Sequence, residues 1–145
     1  MRYAFLIHRE GNKTLAEFPD CPGCQTFAGP RQDITEEAAE ALQGWLEAHL
    51  VTRRVPPRPK AKHRTGRGQS LGWAVVPPKL AVKLDLRWAR ETAGLTQKQL
   101  AEKAGVSQPA IAQLEDPDSN PTIDTLQKVA GALGATLEVS ITRAA

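Results

Sequence analysis

The sequence predicts an α+β fold in two parts: a β-β-β-α-β head, and an all-α C-terminal domain that ends in a strand. Near the N-terminus, short segments alternate apolar and polar residues and are separated by glycine and proline, which is typical of strands. From residue 79 onward, apolar residues recur every three or four positions, as they do in helices. Between the two parts lies a basic stretch rich in proline and glycine.

The distribution of charge separates the same regions. Residues 1–50 carry a net charge of −4 and residues 80–145 carry −1. Residues 51–79 contain eight basic and no acidic side chains. An acidic head followed by a basic middle suggests that the protein has two different partners.

These shifts predict the domain boundaries. The head comprises residues 1–54 together with 70–76, and the C-terminal domain comprises residues 79–145. Residues 55–69 form a basic linker between them. The linker is expected to be solvated, or to act as an arm that contacts DNA phosphates, and the two interpretations are compatible.

The head is predicted to contain four strands and one helix. Asp33 is a suitable N-cap for the helix, with Glu36 at the third helical position. Pro22 and Gly23 place a turn in the loop before the third strand. The predicted elements are strands at Tyr3–His8, Thr14–Phe18, Cys24–Ala28 and Ser70–Val76, and a helix from Ile34 to about Leu50.

Two short helices and a sharp turn are predicted between Leu95 and Glu115. Thr96 and Gln99 form a capping box at the first helix, Gly105 supplies the turn, and Ser107 caps the second helix. This pattern resembles the helix-turn-helix of phage repressors (Xre type). The resemblance implies that the second helix enters the DNA major groove. The DNA-binding residues it implies are Gln97, Ser107, Gln108, Pro109, Ala112 and Gln113.

Further elements flank this motif. A helix is predicted at Lys79–Ala93, and another runs from Thr122 to Gly134. Ala135–Thr142 alternates apolar and polar residues and is predicted to be a strand. A lone strand has unpaired edges, so we expect it to pair with its mate in another subunit or to pack on the head.

The head resembles the HicB antitoxin family. The resemblance rests on the first strand, on the loop FPDCPGC at Phe18–Cys24, and on the helix TEEAAEALQGWLE at Thr35–Glu47. It implies a partial ribonuclease H-like fold and a type II antitoxin that neutralises a HicA-type, mRNA-cleaving ribonuclease by direct binding. Such an antitoxin represses its own operon by binding operator DNA, as a homodimer or a higher even-numbered oligomer. The toxin-binding residues we expect are Glu17, Asp20 and Pro22.

An alternative is a transcriptional repressor whose head binds a small ligand or another protein and has no toxin partner. Catalysis of the ribonuclease H type needs clustered carboxylates, and the first strand contains none, so we predict no enzyme and no catalytic residue. Cys21 and Cys24 lack further ligands at metal-site spacing and precede a strand, so we predict no metal site, no redox site and no cofactor. The lack of a long apolar run predicts a cytoplasmic protein that does not bind membranes.

Overall fold

The computed structural model describes residues 1–143, which form two compact units, Met1–Ala81 and Val82 onward. The first unit is an antiparallel four-stranded sheet with one helix against it, and the rest of the described chain adds helices. The predicted α+β class is therefore confirmed. The elements of the first unit are β1 (Arg2–Glu10), β2 (Lys13–Glu17), β3 (Gln25–Ala28), α1 (Ile34–Val51) and β4 (Ser70–Val75).

The strand order in the sheet is β3-β2-β1-β4, so the last strand of the unit pairs with the first. Helix α1 contacts β2, β3 and β4. Its N-cap is Asp33, as predicted, and the Asp33 side chain accepts a hydrogen bond from the backbone N–H of Thr35. Every fourth residue of α1 is then buried, which is the spacing of one helix face. The buried side chains are Ala38, Leu42, Leu46 and Leu50.

Strand β4 places its small residues, not its large ones, on the buried side. Gly72 pairs with Phe5 of β1, and a Cβ atom built on Gly72 would lie 2.4 Å from the Phe5 ring. Ala74 is buried, whereas Val75 is 68% exposed. The Phe5 ring packs against Phe18 and fills the space that larger side chains on β4 would need.

The remaining helices are α2 (Pro78–Thr92), α3 (Gln97–Ala104), α4 (Gln108–Leu114) and α5 (Ile123–Ala132). Thr122 caps α5, as predicted, and accepts a hydrogen bond from the backbone N–H of Thr125. Gly94 and Gly134 follow α2 and α5 with φ values of +69° each, which glycine adopts without strain. None of the helices in the described residues is long and apolar enough to cross a membrane.

The predicted C-terminal strand is not formed. Residues 135–143 have no regular secondary structure, and the side chains of Val139 and Ile141 are 67% and 100% exposed. Leu137 alone of the three alternating apolar residues packs against the core of the second unit. A strand needs a neighbour to satisfy its backbone hydrogen bonds, and none of the described strands pairs with this segment. Ala144 and Ala145 lie outside the described residues.

Residues 55–69 lie within the first unit, before its fourth strand. They have no regular secondary structure, yet they are not solvated along their whole length, because Pro56 is buried. The hydroxyl of Tyr3 donates a 2.7 Å hydrogen bond to the carbonyl of Pro57. The domain boundaries drawn from the sequence stay a prediction.

Candidate functional site

The first candidate site is the pair of helices α3 and α4. Thr96 caps α3 through a complete capping box with Gln99, as predicted from the sequence. Gly105 ends α3 with φ 65° and ψ 36°, so the chain turns sharply there. Ser107 then caps α4 and accepts a 3.2 Å hydrogen bond from the backbone N–H of Ala110.

A compact hydrophobic core fixes the orientation of both helices. Ile111 and Leu114 on α4 are buried at 1% and 4% exposure, and Ala101 of α3 is 3% exposed. Val106, in the turn, packs against the same core. Because this side of α4 is buried, its other side is left at the surface. The buried core residues are Leu86, Leu100, Ala101, Ala104, Ile111, Leu114, Leu126 and Val129.

The exposed side of α4 carries the residues predicted to contact DNA. Gln108, Pro109 and Gln113 are exposed, and Ala112 is half-buried between them in sequence. Pro109, Ala112 and Gln113 share one helix face because they are three and four residues apart. A glutamine amide can donate and accept at once, which suits the N6 and N7 atoms of adenine. The DNA-binding assignments of these residues stay a prediction.

A buried ion cluster lies at the end of α4, and it was not predicted from the sequence. Glu115, which follows α4, accepts hydrogen bonds at 2.8 Å from Nη1 of Arg87 and at 2.5 and 2.9 Å from Nε and Nη2 of Arg90. The side chains of Glu115, Arg87 and Arg90 are 5%, 5% and 7% exposed. Arg87 lies seven residues after Leu80 and three after Leu84, so it shares the apolar face of α2. A charged residue on an apolar helix face was the sequence signal that could have revealed a buried ion pair.

Gln97 belongs to this cluster as well. Its Nε2 donates a 3.2 Å hydrogen bond to Oε2 of Glu115. Gln97 is also one of the residues predicted to contact DNA, and its hydrogen bond to Glu115 orients its side chain. One carboxylate therefore connects α2, the start of α3 and the end of α4.

The cluster determines the ionisation of Glu115. Burial raises the pKa of this carboxyl, but hydrogen bonds and positive charge from Arg90, together with Gln97 and Arg87, outweigh it and lower the pKa below 4.5. Burial lowers the pKa of the Arg90 guanidinium, but the hydrogen bond and charge of Glu115, together with the charge of Glu91, outweigh it and raise that pKa. Glu115 is therefore a carboxylate at neutral pH.

The second candidate site is the loop Phe18–Cys24, which joins β2 to β3. Its backbone is closed by three hydrogen bonds, from the N–H of Phe18 to the carbonyl of Cys24, from Cys21 to Phe18, and from Cys24 to Cys21. Gly23 has φ +83°, which with Pro22 before it gives a type II turn. Pro22 is exposed, and so is Glu17 at the end of β2.

Asp20, the third residue predicted to contact the toxin, is buried. Its side chain is 1% exposed. Oδ2 accepts a 2.9 Å hydrogen bond from the backbone N–H of Lys60 and lies 3.1 Å from Nε2 of His63. The carboxylate therefore holds the 60–63 segment against the head, and its burial is at odds with a direct charge contact to a partner.

The two thiols of the loop are buried and free. Burial raises the pKa of Cys21 to about 12, with smaller contributions from Cys24 and Asp20. Burial likewise raises the pKa of Cys24 to about 11. These are unreactive thiols at neutral pH. Across residues 1–143, no group of three or more His, Cys, Asp or Glu side chains is arranged to hold a metal ion.

Comparisons with known proteins find relatives of the helix-turn-helix domain and of the head. Residues 86–139 match the family model of the HTH_3 helix-turn-helix. An uncharacterised HTH-type transcriptional regulator of Haemophilus influenzae is 39% identical over 61 residues, which is 42% of this chain and 62% of the regulator. The immunity repressor protein of Bacillus phage phi105 is 51% identical over 45 residues, which is 31% of each chain. This chain thus spans less than two thirds of either regulator.

One similarity extends over nearly the whole chain. Antitoxin HicB 1 of Photorhabdus laumondii is 30% identical over 142 residues, which cover 97% of this chain and 87% of that antitoxin. Among solved structures, a chain of the HicA3 and HicB3 toxin-antitoxin complex aligns with a TM-score of 0.46 and 27% identity over 54% of this chain and 100% of that chain. The homologues are antitoxins or transcriptional regulators. On the similarity to Antitoxin HicB 1, which includes head and helix-turn-helix together, the chain belongs to the HicB antitoxin family.

Proposed function

We propose that the protein is a type II antitoxin whose head binds and neutralises a HicA-type ribonuclease toxin and whose helix-turn-helix represses its own operon. The observation that carries this proposal is the similarity to an antitoxin over 97% of the chain. A match to the helix-turn-helix alone would cover only the C-terminal part of the chain. The similarity to the antitoxin therefore includes both the head and the DNA-binding domain, and a protein with two partners needs both.

The DNA half of the proposal rests on α4. Its apolar side is fixed in the core, and Gln108 and Gln113 are exposed on the remaining surface. In the proposed complex the two glutamines hydrogen-bond to base edges, and Ser107, Pro109 and Ala112 face base edges beside them. Gln97, at the start of α3, contacts a phosphate. A repressor of this kind binds as a homodimer or a higher even-numbered oligomer, because a two-fold operator needs two recognition helices.

The test uses a DNA duplex from upstream of the protein's own gene and a random duplex of equal length. Gln108→Ala or Gln113→Ala should weaken binding to the first by about 1–3 kcal/mol, or roughly 5- to 150-fold, and leave the second nearly unchanged. Gln43→Ala, which removes an exposed glutamine from α1, is the matched control and should change neither. Equal losses on both duplexes would contradict base reading by α4.

The toxin half of the proposal rests on charge and on the Phe18–Cys24 loop. Residues 1–50 carry a net charge of −4, and a ribonuclease that grips RNA presents a basic surface. Glu17 and Pro22 are exposed at or beside the loop and are the contacts we propose. Asp20 acts behind them, since it is buried.

Affinity purification of the full chain from its native host tests this half. We expect a small basic protein to co-purify in a fixed ratio and to cleave RNA once it is released. Glu17→Lys should weaken that association through charge reversal, whereas Glu40→Lys, an exposed acid on α1, should not. Promoter binding without any such partner would support the alternative of a plain transcriptional repressor.

The same proposal includes the absence of catalysis and a location in the cytoplasm. The protein must meet bacterial DNA to act as a repressor, which places it in the cytoplasm. An open cavity of about 300 Å³ is lined by Arg9, Gly11, Asn12, Thr14, Gly29, Pro30 and Gln32. Small-molecule sites are mostly apolar, and this lining has no aromatic or branched aliphatic side chain, so the cavity does not favour a ligand-binding head.

A further inference from the structure

The segment from Arg53 to Arg67 is the most basic part of the chain, and we call it the basic strap. It contains seven Lys and Arg residues and no acidic residue. All seven of these side chains are exposed: Arg53, Arg54, Arg58, Lys60, Lys62, Arg64 and Arg67. Neither the helix-turn-helix nor the toxin-binding loop of the proposed function uses it.

The head holds the strap at several points. Tyr3 donates a 2.7 Å hydrogen bond to the carbonyl of Pro57, and Asp20 accepts one of 2.9 Å from the backbone N–H of Lys60. The side chain of His63 is only 6% exposed, lies 3.1 Å from the buried Asp20 carboxylate, and meets the ring of Trp73 edge-on. The strap is therefore attached to the sheet and does not behave as a free linker.

Although the basic strap is attached to the head, its positively charged side chains stay exposed at the surface. Basic residues occupy every second position from Arg58 to Arg64. Of the residues between them, Pro59 is half-buried and the His63 side chain is buried, whereas Ala61 is exposed. Because one residue spans at most about 3.6 Å, neighbouring cations of this series have Cα atoms no more than about 7 Å apart. Each DNA strand carries one phosphate per about 3.4 Å of helix axis, so several phosphates can be contacted at once.

We infer that the basic strap is a second, sequence-independent DNA-binding surface, which contacts the phosphates of the duplex that carries the operator. Charge complementarity selects a polyanion, and the helix-turn-helix in the same chain raises the local concentration of duplex DNA. Anchoring by Asp20 and Tyr3 orders the strap before binding, which reduces the entropy lost on contact. This inference rests on the DNA half of the proposed function.

The salt dependence of binding tests the inference. The full chain and a Lys62→Gln, Arg64→Gln, Arg67→Gln variant are titrated with the promoter duplex between about 50 and 200 mM salt. Each lost phosphate contact lowers the log–log slope by about 0.9, so three lost contacts lower it by about 2.7. Between the lowest and the highest salt, the affinity of both proteins falls. The factor by which it falls should be about 40 times smaller for the variant than for the wild type. It should also bind random DNA more weakly at the lowest salt.

The matched control removes the same charge elsewhere on the head, through Arg9→Gln, Lys13→Gln and Arg31→Gln. It should keep the wild-type slope. An unchanged slope in the strap variant, or equal flattening in the control, would overturn the inference. A single-stranded RNA of equal length is titrated in parallel, and loss of RNA binding with DNA binding retained would refute the choice of DNA.

Asp20→Asn tests the role of the anchor, with His63→Gln as a second variant should the first fail to fold. Asp20→Asn makes the protein more positive, so charge alone predicts tighter binding to DNA. Loss of preorganisation predicts weaker binding, which is the result we expect. Binding at least as tight as that of the wild type, by whichever of these variants folds, would show that anchoring is irrelevant. A wild-type chain that fails to bind the promoter even at the lowest salt would instead refute the DNA half of the proposed function.

Discussion

Replacement of Glu115 by glutamine should strongly destabilise the helix-turn-helix unit. Glu115 is the buried acid to which both Arg87 and Arg90 are bound, and neither guanidinium is more than 7% exposed. Glu91 also lies 3.2 Å from Nε of Arg87 and 3.6 Å from Nη2 of Arg90, but its side chain is 42% exposed. The substitution keeps the shape of the side chain but removes its negative charge. The substitution leaves two buried guanidinium groups beside the solvent-screened Glu91, and breaking a buried ion pair in this way costs about 3–5 kcal/mol. For a unit of about 60 residues, each 1 kcal/mol lowers Tm by about 4–8 °C, so Tm should fall by at least about 12 °C.

Tryptophan fluorescence can measure this change in one unit alone. The chain has three tryptophans, and Trp88 of α2 is 4% exposed. In a Trp45→Phe, Trp73→Phe background, urea unfolding therefore reports on Trp88. Glu102→Gln, which removes an exposed acid from α3, is the control and should change the free energy of unfolding by less than about 0.5 kcal/mol.

The pH dependence gives an independent check. The folded pKa of Glu115 is below its ordinary value of 4.5, so its stabilising contribution is present above pH 4.5 and is lost as the pH falls through the folded pKa. Wild-type stability should fall in that acidic range more steeply than that of Glu115→Gln. If Glu115→Gln unfolds within about 0.5 kcal/mol of the wild type at neutral pH, the buried cluster does not stabilise this unit as we reason.

Further predictions concern the head. Gly72→Ala should destabilise the head by about 1–3 kcal/mol, because the new Cβ would lie 2.4 Å from the buried Phe5 ring. Gly44→Ala on α1 should stabilise the head by up to about 1 kcal/mol, because no atom lies within 4 Å of the new Cβ and alanine favours the helix. Circular dichroism during urea unfolding measures both, and equal effects would contradict the close approach. Alkylation of Cys21 and Cys24 by iodoacetamide, followed by mass spectrometry, should be slow at about pH 8 in the folded protein, because their pKa values are about 12 and 11. Labelling as fast as in urea would show that the thiols are accessible.

Local sequence patterns predicted most elements because the signals were local. Thr96 with Gln99, Gly105 and Ser107 specify helix ends through bonds within a few residues, and all of them have the predicted roles. Strand β4 was also predicted from alternation at residues 70–76. Alternation alone did not show which face is buried, since that depends on the Phe5 ring across the sheet.

The contacts that the sequence did not reveal involve partners distant in sequence. Asp20 was predicted as a toxin contact from its loop alone, and its partners in the structure, Lys60 and His63, lie about 40 residues away. Likewise, Glu115 is joined to Arg87 and Arg90 over 28 and 25 residues. The alternation at residues 135–142 predicted a strand, but a strand forms only where another strand offers hydrogen bonds.

The pairing of β4 with β1 also affects how the two functional halves could be separated. Six residue pairs, from Arg2 with Val75 to Ile7 with Ser70, join the first strand of the chain to one that follows the strap. A single backbone cut by a protease within the strap would leave β4 on the fragment that carries the helix-turn-helix. The two fragments would stay associated as a split protein until the sheet itself unfolds. Cleavage within the basic strap would therefore not suffice to detach the head from the DNA-binding half.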